Sequence, residues 1–144
     1  MDDQEKQRLH DIANTQPNFA RYLGMRVVSA CPDEVVLEMD VTDDLKNRNG
    51  VLHGGAALAI ADNIGGTLAF LNLKPGEGTT TLESKTNFLR PTEIGDVITA
   101  TCRPVHRGRT TMVLQTILTR RDGKIAAMIS QTQMIMPAKA EARD

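Results

Sequence analysis

One carboxylate stands alone in residues 53–71, HGGAALAIADNIGGTLAFL, a stretch otherwise made of apolar, small and uncharged residues. A helix of this composition is expected to be buried on most sides. A charge inside it is costly unless something requires it, so Asp62 is either a reactive carboxylate or a satisfied structural one. At the head of the stretch, His53-Gly54-Gly55 sits where a polar loop becomes a helix. Helix N-termini present unpaired backbone N–H groups and a partial positive charge. Glycines there let a ligand come close to the backbone, and such a place can stabilise the oxyanion formed from a carbonyl. The same residues also fit a plainer role, tight packing with His53 as a cap. Asp62 follows His53 by nine residues, roughly 180° around a helix and ~13 Å along it. The two features of one helix therefore cannot meet on one substrate. If both act in one reaction they come from two copies of the chain, and antiparallel helices would bring each Asp62 to the other's Gly54-Gly55 end. That is a symmetric dimer with sites at its interface.

Other chemistries fit less well. There is no GxSxG elbow for a Ser-His-Asp hydrolase, and no GxxxxGK[ST] loop for nucleotide phosphates. His10, His53 and His106 are scattered and show no metal-ligand spacing. The turn His106-Arg107-Gly108-Arg109 suits either a phosphate or a solvated hairpin tip.

The elements that must hold these residues can be read from periodicity. Leu9, Ile12 and Ala13 share a helical face, and Phe19, Tyr22 and Leu23 form a second apolar stripe between Pro17 and Gly24. Val35, Leu37, Met39 and Val41 alternate with Val36, Glu38 and Asp40, the mark of a half-buried strand. Residues 25–30 make a partner strand, with Pro32-Asp33 turning between the two. Residues 43–51 read as loop. After Lys74-Pro75-Gly76 the pattern is strand-like to the end: Leu82, Ser84, Thr86 and Phe88 on one face of a strand that stops near Pro91, then Ile98, Ala100 and Cys102, then residues 111–120, then 125–136. Asp122-Gly123 is a hairpin signal. The order is helix, two strands, the apolar helix, four strands. Strands joined by tight turns pair antiparallel, and the central helix is the obvious cover for their sheet.

The 144 residues fit one domain, 1–144, with its core about 19–136 and a charged, flexible tail at 137–144. The net charge of −1 gives no bias toward nucleic acid or anionic membranes. Aromatics at 3% supply few stacking platforms for bases. No apolar run is read as reaching a membrane span, and residues 1–10 are too polar for a secretory signal. The cytoplasm is the expected location. There Cys31 and Cys102, far apart in sequence and outside any CxxC pair, are expected to be reduced and buried.

With these residues in place, the chain resembles the hotdog-fold thioesterases, in the branch that includes the phenylacetic-acid degradation thioesterases. The resemblance is carried by Asn47, Gly50, His53-Gly54-Gly55 and Asp62-Asn63, then by Asn87-Phe88-Leu89-Arg90-Pro91 and Gly95-Asp96. It implies an α+β hotdog fold: a long central helix wrapped by a curved antiparallel β-sheet, preceded by a short N-terminal helix. It implies hydrolysis of an acyl-CoA thioester to free acid and CoA by a homodimer, commonly a dimer of dimers. Asp62 would be the nucleophile or the general base that activates water. The backbone N–H of Gly54 or Gly55 of the partner subunit would polarise the carbonyl, with His53 supporting that end. Asn47 matches a loop Asn that positions the water or the acyl carbonyl, with Asn49 as its neighbour and competitor. Thr81 matches a Ser/Thr that holds the water beside the carboxylate. Asn63, Arg90, Arg107 and Arg109 are the substrate-binding candidates, the arginines for the CoA phosphates. CoA enters as part of the substrate, and no cofactor or metal is implied. Related branches carry Glu where this chain has Asp62, which points to this branch and leaves nucleophile against base open. Two other functions stand beside this one: a non-catalytic acyl-CoA sensor, and a hotdog dehydratase or hydratase, whose motifs are absent. The acyl group is not readable from one chain.

Overall fold

The structure is a computed structural model that describes residues 2–138. Helix α1 (Asp3–Asn14) starts where the Asp2 side chain accepts the Glu5 N–H at 2.8 Å, and Asp3 and Glu5 in its first turn complement the positive end of the helix. It buries Leu9 and Ala13. The short α2 (Asn18–Tyr22) buries only Ala20. The expected apolar stripe there is not covered, since Phe19 and Tyr22 are exposed and only Leu23 packs on the core. Gly24 ends this segment at φ +72°, a conformation that favours glycine.

Strands β1 (Arg26–Cys31) and β2 (Glu34–Asp40) pair antiparallel around Pro32-Asp33. Val35, Leu37 and Met39 point into the core and their neighbours do not, as the alternation requires. A 3₁₀ turn, Asp43–Leu45, interrupts the stretch read as loop. Helix α3 (Gly54–Leu71) follows, then β3 (Gly78–Phe88), β4 (Val97–Arg107), β5 (Thr111–Thr119) and β6 (Ile125–Met136). The six strands form one sheet in the order β1-β2-β4-β5-β6-β3. Each neighbouring pair is antiparallel. Helix α3 touches all six, and a sheet can present every strand to one helix only by curving round it. This is the hotdog arrangement that the resemblance implied.

The flank of α3 that carries Ala57, Ile60, Ala61, Ile64 and Leu68 packs against Leu37, Met39, Ile98, Leu114 and Ile129. Each fully buried Ile or Leu here stabilises the fold by on the order of 2 kcal/mol. Two expectations about this helix are corrected. First, residues 54–71 do form an apolar helix long enough to span a membrane by composition, 18 residues at mean hydropathy 1.3. Second, α3 is not buried on most sides. Seven of its 18 residues are buried, while Gly55, Leu58, Asp62 and Phe70 are exposed. One sheet can cover only one flank of a cylinder.

Strand β3 also departs from simple alternation. Its register with β6 shifts between Thr81 and Glu83, which makes Leu82 the extra residue of a β-bulge. Thr81 lies opposite Gln133, and beyond the bulge Ser84 lies opposite Gln131 and Thr86 opposite Ile129. Thr79 and Thr81 thus share the inner face with Ser84, Thr86 and Phe88, and Leu82, expected on that face, is 57% exposed. The closing part of the expected tail, residues 139–144, lies outside the described residues.

Candidate active site

Asp62 lies midway along α3, on the flank that looks toward β3 and β6. Its carboxylate is not enclosed by apolar side chains, as composition had suggested. It is exposed in the single chain and bonded to polar groups of the sheet. Thr81 donates its hydroxyl to Asp62 Oδ1 at 3.0 Å, and Gln131 donates a side-chain N–H to the same oxygen at 2.8 Å. No hydrogen bond among the described residues reaches Asp62 Oδ2.

The sheet explains why these groups converge. Successive residues of one face in a strand are two apart, so Gln131 and Gln133 of β6 continue inward the buried row of Ala127 and Ile129. Gln133 sits directly across from Thr81 and donates to its hydroxyl oxygen at 2.9 Å, while Gln131 reaches the same oxygen at 3.1 Å. The bulge at Leu82 keeps Thr81 on this face next to the carboxylate. Helix α3 makes room with Gly65, where an added Cβ would stand 1.7 Å from Gln131 Oε1. Gln131, Gln133 and Gly65 were not picked out from the sequence. Two glutamines in phase with a buried apolar row were the available signal.

The N-terminus of α3 holds the second group of candidates. His53 is the N-cap, and its Nδ1 accepts the Gly55 N–H at 2.8 Å. The capping role is therefore real, and it places the neutral ring's proton on Nε2. The Gly54 N–H has no acceptor among the described residues, as the first turn of a helix dictates. The Phe88 ring lies where a Cβ on Gly54 would touch it at 3.3 Å. Asn47 anchors the loop before the helix, its Oδ1 accepting the N–H groups of Asn49 at 2.8 Å and Val51 at 3.3 Å. Asn47, Gly54, Phe88 and Arg90 line a cavity of about 390 Å³, and Asn49 does not.

A larger cavity, about 670 Å³, opens beside the carboxylate. Asp62, Asn63 and Thr81 form one side of it, Phe70 and Gly66 the helix wall, and Ile12, Gln16 and Pro17 the wall given by the N-terminal segment. Asn63 donates to Gln16 Oε1 at 2.6 Å. The three arginines separate. Arg90 lines the smaller cavity and donates to the Ile125 carbonyl at 2.8 Å. Arg107 is bound at the other end of α3, to Asn72 Oδ1 at 3.0 Å and to the Pro32 carbonyl and Asp33 Oδ1 at 2.6 Å each. Arg109 lies in the β4–β5 turn that follows Arg107, and neither of the two lines either cavity. Among the described residues no three His, Cys, Asp or Glu side chains gather as metal ligands would.

The arrangement offers a held carboxylate at a cavity wall and, at the N-terminus of the same helix, a backbone N–H with no acceptor among the described residues. The model of the thioesterase superfamily matches residues 49–127. Acyl-coenzyme A thioesterase 13 of Homo sapiens is 32% identical over 118 residues, covering 81% of this chain and 84% of that one. The E. coli PaaI protein of the phenylacetic acid degradation operon shares the fold, with a TM-score of 0.82 at 24% identity over 90% of this chain and 97% of that one. A Streptococcus mutans UA159 protein solved with bound acetyl CoA has a TM-score of 0.74 at 28% identity, covering 81% and 91% of the two chains.

Proposed function

The chain belongs to the thioesterase superfamily, and we propose that it hydrolyses acyl-CoA thioesters at a site shared by two copies of itself. One observation carries the reading: Asp62 has Oδ1 held by two donors and Oδ2 uncommitted, at the wall of a cavity large enough for an acyl group. Oδ2 then either attacks the thioester carbonyl or takes a proton from the attacking water. Both routes develop negative charge on the carbonyl oxygen, to which the Gly54 N–H of the partner subunit donates a hydrogen bond. Gly54 is preferred to Gly55 because the Gly55 N–H is already given to His53. The Nε2–H of His53 adds a donor at that end, and Asn47, with its Oδ1 spent on the loop, offers its NH₂ group to the water or acyl carbonyl. CoA leaves as a thiolate, a leaving group good enough that one carboxylate and one oxyanion site suffice. Arg90 is the candidate for a CoA phosphate, and the reading requires no resident cofactor.

Two features favour the paired copy. Leu58 and Phe70 on α3 and Leu82 and Phe88 on β3 are large, exposed apolar residues. Strand β3 is an 11-residue sheet edge with its outer N–H and C=O groups unpaired. A second chain, α3 against α3 and β3 against β3, covers both. A dimer of such dimers is the larger assembly we propose.

The test is CoA release from acyl-CoAs running from acetyl to palmitoyl and including phenylacetyl, hydroxyphenylacetyl and benzoyl, with wild type beside Asp62→Asn. Turnover by the wild type and a loss of roughly 10²–10⁴-fold in a folded Asp62→Asn are expected. Tight acyl-CoA binding without CoA release would make the protein a sensor. Full activity in Asp62→Asn would remove Asp62 from the chemistry.

A further inference from the structure

We propose that Gln131 is a positioning residue for Asp62, and that with Gln133 it decides which carboxylate oxygen reacts: Oδ1 is held and Oδ2 does the chemistry. The inference rests on the reading of Asp62 as the reacting carboxylate. Gln131 and Gln133 are each 1% exposed, on a strand face otherwise given to apolar packing. A buried amide there needs a reason. The reason is the direction of the bonds.

A threonine hydroxyl can accept two hydrogen bonds and donate one. Thr81 Oγ1 accepts from Gln131 Nε2 at 3.1 Å and from Gln133 Nε2 at 2.9 Å, so its acceptor positions are full. Its one proton must go to Asp62 Oδ1, 3.0 Å away. The Thr79 hydroxyl lies 2.9 Å from Gln133 Oε1 and 3.0 Å from the Met134 carbonyl oxygen, and its one proton serves either acceptor. The orientation of Gln133 is fixed instead from Thr81, whose proton is spent on the ionised carboxylate, so that Gln133 must present its N–H. The orientation of Gln131 is fixed by the carboxylate, which accepts and does not donate when ionised. A flipped amide would set oxygen against oxygen. One N–H of Gln131 goes to Asp62 Oδ1 at 2.8 Å and the other to Thr81. The bonds from Gln133 and Gln131 through Thr81 to Asp62 therefore have a single sense, and Thr81 and Gln131 deliver two donors to one oxygen.

The opposite end of Gln131 shows what this placement costs. Its Oε1 is buried with no hydrogen-bond partner among the described residues, facing the bare Cα of Gly65. An unpartnered buried acceptor is destabilising, and an apolar side chain at 131 would avoid it. Packing alone does not account for an amide at this position, whereas holding the carboxylate does.

The test compares Gln131→Met, Gly65→Ala and Asp62→Asn in the full chain, with CoA release as the assay. Gln131→Met keeps the side chain's length and removes both donors. Its kcat should fall roughly ten- to a hundredfold, as for loss of a hydrogen bond to a charged group, with KM changed less than about twofold and the melting temperature maintained. Gly65→Ala approaches the same group from the helix, because its methyl must displace Gln131, and should give a similar loss. In a Gln131→Ala background nothing is left to displace, so adding Gly65→Ala should cost little more, a non-additive pair. That coupling would not arise from general loosening, and it stands even if Gln131→Met fails to fold. Wild-type kcat in folded Gln131→Met, or strictly additive losses in the pair, would overturn the proposal while an inactive Asp62→Asn left the Asp62 reading intact. Full activity in Asp62→Asn would instead remove the reading on which it rests.

Discussion

Asn63 of α3 donates its side-chain N–H to Gln16 Oε1 at 2.6 Å, across 47 positions of sequence. The bond fastens the segment between α1 and α2 to the helix that carries Asp62. That segment is one wall of the cavity beside the carboxylate. Gln16 is itself held by its N–H to the Ala13 carbonyl. Gln16→Ala should therefore loosen the wall without touching the reacting groups. With one neutral hydrogen bond at stake, KM for long acyl-CoAs should rise about fivefold, while KM for acetyl-CoA and kcat hold steady. Michaelis constants across a chain-length series check this. An equal change for every chain length would put the acyl group somewhere other than against this wall.

The arginines make a contrast that mutagenesis can read. Arg107 ties the C-cap residue Asn72 to the β1–β2 turn through Pro32 and Asp33. Arg107→Ala should lower stability by about 0.5–1 kcal/mol in denaturant unfolding, since water replaces exposed bonds in part and Asn72 still donates to the Pro32 carbonyl, with KM unchanged. Arg90→Ala should do the reverse, raising KM for acyl-CoA severalfold while KM for a short pantetheine thioester, which lacks the phosphates, stays put. If both substrates suffer alike, Arg90 serves the local fold through its bond to Ile125.

What could be read in advance, and what could not, divides on physical grounds. The alternation of Val35, Leu37 and Met39 and the apolar run after His53 are local patterns, and β2 and α3 appear where those patterns put them. Asp62 stood out because nothing else in its helix carries charge. The bulge at Leu82 has no local signature, since it arises from how Glu83 registers against Thr132 on another strand. Gln131 and Gln133 looked like ordinary polar positions in a strand, because their meaning depends on Thr81, some fifty residues earlier, being opposite them. The openness of Asp62 was missed for a different reason. Composition records how apolar a helix is, not how many of its sides one sheet can cover.

Cys102 gives the pH dependence its sign. Its side chain is fully buried, and burial pushes the thiol up from 9.0 to about 11, opposed only in part by the nearby Thr116 hydroxyl. Below about pH 9 folded and unfolded chains both keep the proton, and the contribution to stability is fully present. Between about pH 9 and pH 11 the unfolded thiol ionises while the folded one does not, so stability falls as pH rises. The loss is on the order of 3 kcal/mol when complete. Urea unfolding at a series of alkaline pH values should show this slope in the wild type and lack it in Cys102→Ala. Parallel slopes in the two proteins would assign the alkaline loss to other groups.

The shared site is best tested by dividing it between subunits. Gly54 is the first residue of α3, after an N-cap with φ −63° and ψ 134°. Proline is well tolerated at that helix position and after an extended residue. Gly54→Pro therefore deletes the free N–H while keeping the helix start, provided the exposed Phe88 ring yields to the added atoms. Both Gly54→Pro and Asp62→Asn should be inactive alone. Unfolded together, mixed in equal amounts and refolded, half the dimers should carry one subunit of each kind. Each of these has one site with an intact Asp62 facing an intact Gly54, so about a quarter of the wild-type activity should return. If the carboxylate and the oxyanion donor came from the same chain, no mixture would recover anything. A return to about a quarter, absent when either variant is refolded alone, would place Asp62 of one subunit against Gly54 of the other.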